Sequence, residues 1–323
     1  MAVLEADAPV RTNRHEKFHA LIAKARTHPP IRVAVAYPCN APSIEAALEA
    51  ANLKLMAPIL VGPQDLITKI ADENGLDLSA VSIVNAGDGH DSAARAVALV
   101  REGEADALMK GSLHTDELMG AVVRRDTGLR TNRRISHCFV MDVPGHDRAL
   151  IITDAAVNIA PDLKTKADIT QNAIDLARAL GVEEVKVAIL SAMESVNPDV
   201  PSTLEAAALC KMADRGQITG AVLDGPLALD NAISMEAAKI KKIASPVAGQ
   251  ANVLVVPDLE AGNMLAKSLS FLADADAAGI VVGAKVPIIL TSRADDETAR
   301  LASCAIAQLL VADRRADPAA AVR

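Results

Sequence analysis

Two strand-turn-helix segments hold the residue types that chemistry on an anion would need. In VPIILTSRADDETARLASCAIAQLL, residues 286–310, an apolar strand runs through a polar turn that holds Ser292, Arg293, Asp295 and Asp296, then into an amphipathic helix. In ADALMKGSLHTDELMGAVV, residues 105–123, Lys110, Gly111, Ser112, His114 and Thr115 follow a strand in the same way. A helix N-terminus presents unpaired N–H groups and a partial positive charge, both of which favour an anion. Arg293 is the unexpected member. A cation in a first turn opposes the helix dipole by a few tenths to about 1 kcal/mol, a conflict that an anionic ligand resolves. Glycine lets backbone approach a ligand, and Ser and Thr hydroxyls bind phosphate oxygens. Each turn also has a plain reading: Ser292 and Asp295 as a capping box beside a solvated Arg293, and 110–115 as an ordinary capped turn. The second turn lacks the GxxxxGK[ST] spacing of a P-loop.

Three further groups carry charge. Arg124, Arg125, Arg130, Arg133 and Arg134 fall within eleven residues of an otherwise acidic chain, a basic patch suited to a polyphosphate or simply a solvated run. Asp154 and Asn158 in TDAAVNIAPD, and Asp224, Asp230 and Asn231 in LDGPLALDNAIS, follow apolar strands. Their oxygens could bind Mg²⁺, although turns and caps use Asp and Asn as often. Cys39, Cys138, Cys210 and Cys304 are scattered with no CxxC pair, which argues against a disulfide framework or a zinc cluster and points to a reducing cytoplasm.

Elements that must position these residues are legible as Val- and Ile-rich runs alternating with segments of helical period, the pattern of βαβ units around a largely parallel sheet. Strands are expected near 31–37, 57–61, 81–84, 105–110, 136–143, 148–153, 185–191, 219–224, 252–256, 279–283 and 286–291. Helices are expected at about 12–27, 43–55, 64–75, 90–102, 114–126, 163–180, 202–213, 232–243, 260–273 and 296–311. Gly75 and Gly181 read as residues that close helices, Ser43 as a cap after Pro42, and His114 or Thr115 as the start of another helix. The polar stretch 124–134 reads as a seam, and a second crossing near 284–288 would return the last helix to the first block.

Composition excludes several classes. Of 323 residues 51% are apolar and 23% charged, which describes a folded chain of about two domains and not a disordered one. Phe18, Phe139, Phe271 and Tyr37 are the whole aromatic complement, so platforms that stack single-stranded nucleic acid or sugars are ruled out. A net charge of −8 repels phosphate backbones and anionic membranes. The acidic N-terminus does not read as a secretory leader, and no apolar run reaches the roughly 18 to 20 residues that span a bilayer. A soluble, cytoplasmic protein with neither nucleic-acid nor membrane partners is expected.

Taken together, the segments resemble the phosphate acetyl/butyryltransferase family, and within it the phosphate butyryltransferase-like branch, from about residue 30 to 311. The resemblance rests on MKG at 109–111, GLRTNRRISH at 128–137, DVPGHDRALIITDAAVNIAP at 142–161, KMADRGQITGAVLDGPLALDNAIS at 211–234, VPDLEAGNMLAKSLSF at 256–271 and LTSRADDE at 290–297. It implies an α/β fold of two three-layer α/β/α domains with mostly parallel sheets, an isocitrate/isopropylmalate dehydrogenase-like architecture. Residues 1–135 plus 288–323 would form one domain and 136–287 the other, with the active site in the cleft between them. It further implies a homodimer, no permanently bound cofactor, and the reversible conversion of acyl-CoA and phosphate to acyl phosphate and CoA. The family's Ser-Arg motif falls on Ser292 and Arg293, and its catalytic Asp on Asp295, with Asp296 as second choice. Lys110, Gly111, Ser112, His114, Thr115 and Arg133 become CoA and phosphate contacts. Butyryl-type relatives carry Arg where this chain has Gly120, so Arg124 or Arg125, one helical turn on, would have to substitute.

On that reading a CoA thiol, with a pKa near 8.5, must lose its proton to attack a carbonyl, and Asp295 takes it. Arg293 holds the phosphoryl group and Ser292 donates a hydrogen bond. Transfer is direct, within a ternary complex, and Cys138 is left to packing. Two rivals stand beside it. One is a metal- and NAD-dependent oxidative decarboxylase with Asp154, Asp224 and Asp230 around Mg²⁺; the other is an acyl-CoA binding module without catalysis.

Overall fold

Every Val- and Ile-rich run expected to be extended becomes a strand. The structure is a computed structural model that describes residues 15–290 and 296–317. Along the chain run α1 (Glu16–Ala25), β1 (Ile31–Ala36), α2 (Ala41–Asn52), β2 (Met56–Gly62), α3 (Gln64–Asn74), β3 (Ser82–Asn85), α4 (Gly89–Arg101), β4 (Ala107–Lys110), α5 (Thr115–Val122) and β5 (Ser136–Asp142). Then follow β6 (Leu150–Thr153), α6 (Leu163–Ala179), β7 (Lys186–Leu190), α7 (Pro201–Asp214), β8 (Val222–Leu227), α8 (Leu229–Ile233), α9 (Met235–Ile240), β9 (Val253–Val255), α10 (Leu259–Leu272), β10 (Asp276–Val282), β11 (Ile288–Ile289) and α11 (Glu297–Ala316).

The strands form one eleven-stranded sheet in the order β3-β2-β1-β4-β11-β10-β5-β6-β9-β7-β8. Pairing is parallel from β3 to β11 and again from β6 to β8. Between these groups β10 is antiparallel to both β11 and β5, and β5 is antiparallel to β6. The two parallel groups therefore point in opposite directions and meet at the antiparallel pair. Register puts Val35, Met109, Ile289, Ile280, Cys138, Thr153, Val255 and Ile189 in a single row across the sheet. The carboxyl ends of β4 and β11 thus lie level at one edge of the sheet, while β6 runs the other way and ends toward the opposite edge; ligands in open α/β sheets bind beyond such carboxyl ends.

Side chains alternate across a sheet, so its two faces can be covered independently. One face carries a single core that runs through both groups, with α1, α2, α6, α7 and α11 packed on it. The other carries two cores, one beneath α4 and α5 and one beneath α8, α9 and α10. His137, Gly279 and Leu290 lie between these two. Helix α11 is the centre of the first face: residues 301–311 are all buried, as expected of a helix apolar all round. Of its two polar exceptions, Ser303 Oγ accepts from Gly279 N at 3.2 Å, and Gln308 Nε2 donates to His28 O and Pro29 O at 3.0 Å while its Oε1 has no hydrogen-bond partner among the described residues. At the other end of the chain, Asp142, 1% exposed, accepts from Lys17 N, Phe18 N and Lys17 Nζ and ties α1 to the end of β5.

Three local expectations are corrected. Asn40, not Ser43, caps α2: its Oδ1 accepts from Ser43 N at 3.0 Å, and Pro42 sits inside the first turn. The helix expected at 232–243 is divided into α8 and α9 because Ser234 takes extended φ/ψ and its Oγ accepts from Ala237 N. Helix α5 stops at Val122, not near 126, where Gly128 N and Leu129 N turn back to Arg124 O and Val122 O.

Candidate active site

The β4–α5 turn is held by backbone proximity. Gly111 N donates to Ala36 O at 2.9 Å, and a Cβ on Gly111 would stand 2.5 Å from both Ala36 O and Tyr37 O, so only glycine fits. Tyr37 O accepts from Cys39 N, Ser112 N and Ser112 Oγ, each at 2.9 Å, which stabilises the left-handed φ of 52° at Tyr37. Ser112 therefore joins the β1–α2 and β4–α5 turns. Lys110 Nζ donates to Gly111 O and Leu113 O. His114 is the N-cap of α5; its backbone N–H donates to the Glu117 carboxylate, and both His114 and Thr115 are exposed. The five predicted residues are thus together at one strand end.

Ser292, Arg293 and Asp295 lie outside the described residues, which resume at Asp296. Asp296 is the N-cap of α11, and its Oδ1 accepts from Ala299 N at 2.8 Å. Arg133 is elsewhere: it pairs with Asp175 of α6 and lines a cavity between α6 and α11.

The carboxylates of the decarboxylase reading do not converge. Asp154 accepts from Ala156 N and Val157 N on Oδ1, and from Asn158 N and Nδ2 on Oδ2, so its oxygens close the 154–158 turn. Asp224 accepts from Gly225 N, and Asp230 lies 4.0 Å from Lys241 Nζ. Among the described residues a grouping at metal-ligand spacing is His15, Asp276 and Asp296, which includes none of the three.

All four cysteines are free. Burial pushes the thiols of Cys138, Cys210 and Cys304 up to about 12 and that of Cys39 up to about 11, so each stays protonated near neutrality and is a weak nucleophile.

His137 was missed in the sequence, where it reads as one more position of an apolar strand. It is 2% exposed and stacks edge-on against Phe139 at 4.4 Å between ring centroids. Gly279, opposite Phe139, leaves it room, since a Cβ there would stand 3.1 Å from His137 Nε2 and 2.6 Å from Leu290 O. Desolvation drives its pKa down to about 4 against the opposing pull of Asp154, and its Nδ1 finds no hydrogen-bond partner among the described residues. A neutral imidazole thus sits beside the end of β11.

Gly120 is exposed in α5 with no atom within 4 Å of where its Cβ would be. Gly120→Ala is expected to stabilise the protein by about 0.5–1 kcal/mol through helix propensity. A higher urea midpoint at unchanged m-value would show it; an unchanged or lower midpoint would mean that the open space is used.

A family model described as phosphate acetyl/butaryl transferase matches residues 88–308. The chain is 62% identical to the phosphate acetyltransferase of Rhizobium meliloti over 95% of its own length and 97% of the relative's. It is 42% identical to the phosphate butyryltransferase of Clostridium acetobutylicum, over 93% and 99%. A crystal structure of a branched-chain phosphotransacylase from Enterococcus faecalis V583 superimposes with a TM-score of 0.75 at 32% identity, covering 87% of this chain and 99% of that one. A 4-hydroxythreonine-4-phosphate dehydrogenase from Klebsiella pneumoniae shares the fold alone, at a TM-score of 0.54 and 15% identity over 88% of this chain and 100% of that one.

Proposed function

The chain belongs to the phosphate acetyl/butaryl transferase family, and on that premise we propose how its residues exchange an acyl group between CoA and phosphate. The protein is a phosphate acyltransferase. The proposed site lies where the two parallel groups of strands meet, in a cleft between residues 1–135 with 288–323 on one side and 136–287 on the other. One observation carries this reading: β4 and β11 pair in parallel with Met109 opposite Ile289, so their carboxyl ends stand level at one edge of the sheet.

In the direction of thioester formation, Asp295 takes the proton of the CoA thiol and the thiolate attacks the carbonyl carbon of the acyl phosphate. The carbon–oxygen bond to phosphate then breaks, and phosphate leaves with the electron pair. Arg293 holds the phosphoryl oxygens in a two-pronged hydrogen bond and Ser292 donates to the charge that develops. Lys110, Gly111 and Ser112 at the β4 end, with His114, Thr115 and Asp296, are the proposed contacts for CoA and phosphate; Arg133, paired with Asp175 at the cavity between α6 and α11, is set apart from them. Transfer is direct. Protonated cysteines support that choice, since an acyl-cysteine route needs a thiolate.

The proposed assembly is a homodimer. Met264 and Phe271, seven residues apart on α10, are 63% and 77% exposed, and Leu272 beside them is 85% exposed, an apolar stripe suited to a second copy. No helix among the described residues is long and apolar enough to cross a membrane. A cytoplasmic location is proposed from the four free thiols.

Thioester formation from CoA, followed with acetyl phosphate and butyryl phosphate in parallel, tests the function. Turnover with at least one donor is expected, and their ratio sets the chain-length preference; a folded protein inert to both would sink the assignment.

A further inference from the structure

A second concentration of positive charge lies on the opposite face of the sheet from the β4–α5 turn. Between α6 and the last turns of α11, at the end of β10, is a cavity of about 300 Å³. Arg130, Arg133, Lys285 and Arg314 line it together with Asp175 and Asp313, over an apolar floor of Leu176 and Leu310. Four cations against two carboxylates leave a local excess of two positive charges in a chain of net charge −8.

The site is built, not a loose surface patch. Thr131 Oγ1 donates to Gly283 O at 2.7 Å, Arg134 N to Asp168 Oδ2 at 2.9 Å, and Asn172 Nδ2 to Arg134 O at 2.9 Å, so the arginine loop is fastened to β10 and α6. Arg133 is paired with Asp175, and Arg314 Nη1 donates to Lys285 O at 2.9 Å. Burial disfavours the Arg314 charge more than any other influence on it, against the opposing pull of Asp175 and Asp313. Arg130 and Lys285 have no ion-pair partner among the described residues, and both side chains are exposed at the cavity.

Its distance from the reaction site follows from helix geometry. Glu297 and Asp313 are sixteen residues apart on α11, and at about 1.5 Å per residue the cavity end stands about 24 Å from the end that begins at Asp296. A volume near the lower limit of small-molecule sites suits a compact metabolite and not a whole CoA. Arginine forks fit phosphate and carboxylate oxygens alike, and two uncompensated charges match a ligand with at least two anionic groups.

We propose that this cavity between α6 and α11 is a second anion site, apart from the site of acyl transfer, that takes a small diphosphate or polycarboxylate.

Titration calorimetry of the full chain with inorganic pyrophosphate and with citrate tests it. The titration uses Arg293→Ala, so that the phosphate subsite of the reaction does not contribute. One site per chain is expected, unaffected by saturating CoA. Adding Lys285→Glu should weaken it by about 10-fold or more, as should Arg130→Ser, which keeps the test open if the first variant folds poorly. In an otherwise wild-type chain, Lys285→Glu should leave acyl transfer within about two-fold of normal. The tighter of the two probes names the ligand class. The proposal is overturned if neither anion binds, if CoA displaces the anion, or if both variants bind as tightly as their parent. Loss of turnover in Arg293→Ala is read separately and bears only on the acyl-transfer site.

Discussion

With Arg293 in its proposed role, Arg293→Ala is expected to lower the rate of thioester formation by about 10²- to 10³-fold, the usual penalty for deleting one group that meets charge developing in a transition state. An arginine just before a helix opposes the dipole of that helix, and the helix that follows, α11, is capped by Asp296 without help from any cation. A ligand anion reverses the sign of the problem: a phosphoryl group brings negative charge to the arginine and to the helix end together. Since that charge shifts as the bond to phosphate forms or breaks, the loss is expected in turnover as well as in the KM for acyl phosphate. Arg293→Lys keeps the charge but not the two-pronged geometry, so it should recover only part of the rate. Full activity in Arg293→Ala would remove the Ser-Arg segment from the mechanism. An equal loss in Arg293→Lys and Arg293→Ala would identify geometry, and not charge, as the larger contribution.

Strand positions were legible because most of the strands are buried on both faces and so read as largely apolar runs, from IRVAVA in β1, interrupted by Arg32 alone, to DAAGIVV in β10, apolar after Asp276. The turn at 110–115 was legible for a related reason: its chemistry is local, with Lys110, Gly111 and Ser112 adjacent in the chain. Helix ends were less so. Ser234 interrupts a helical pattern because its hydroxyl caps the following segment, and nothing in the spacing distinguishes that serine from one in a helix interior. Features that depend on distant pairing were not legible at all. The cavity between α6 and α11 needs Arg133 beside Asp175, forty-two residues on, and Arg130 beside residues 283–285. His137 acquires its surroundings only when β10 lies antiparallel to β5 and brings Gly279 opposite Phe139. Periodicity records which face a residue takes and carries no information on which strand becomes its neighbour.

His137 also sets how the fold responds to acid. Its pKa falls from 6.5 in the unfolded chain to about 4 in the folded one because the buried ring cannot be hydrated when charged, and Asp154 only partly offsets this. The folded-state value is depressed, so between about pH 6.5 and pH 4 the unfolded chain binds more protons, and stability falls as pH falls through that window. A shift from 6.5 to about 4, at about 1.36 kcal/mol per unit, amounts to roughly 3 kcal/mol at the bottom of the window, of which about 2 kcal/mol is lost between pH 7 and pH 5. Against a total stability of about 5–15 kcal/mol this is large. Other groups titrate nearby: His146 is shifted downward by burial and adds in the same sense, whereas burial raises Glu49 and Asp313 and works in the opposite one. The comparison is therefore between the wild type and His137→Phe, in which those contributions cancel. Phenylalanine leaves no polar nitrogen beside Gly279 and Phe139, where Nδ1 already lacks a partner. Urea unfolding at pH 7 and pH 5 should show the wild type losing about 2 kcal/mol more than the variant. Equal losses would mean that the ring is hydrated or charged in the folded state. The space between the two cores at the end of β11 would then be wet, and a neutral imidazole could not be part of its chemistry.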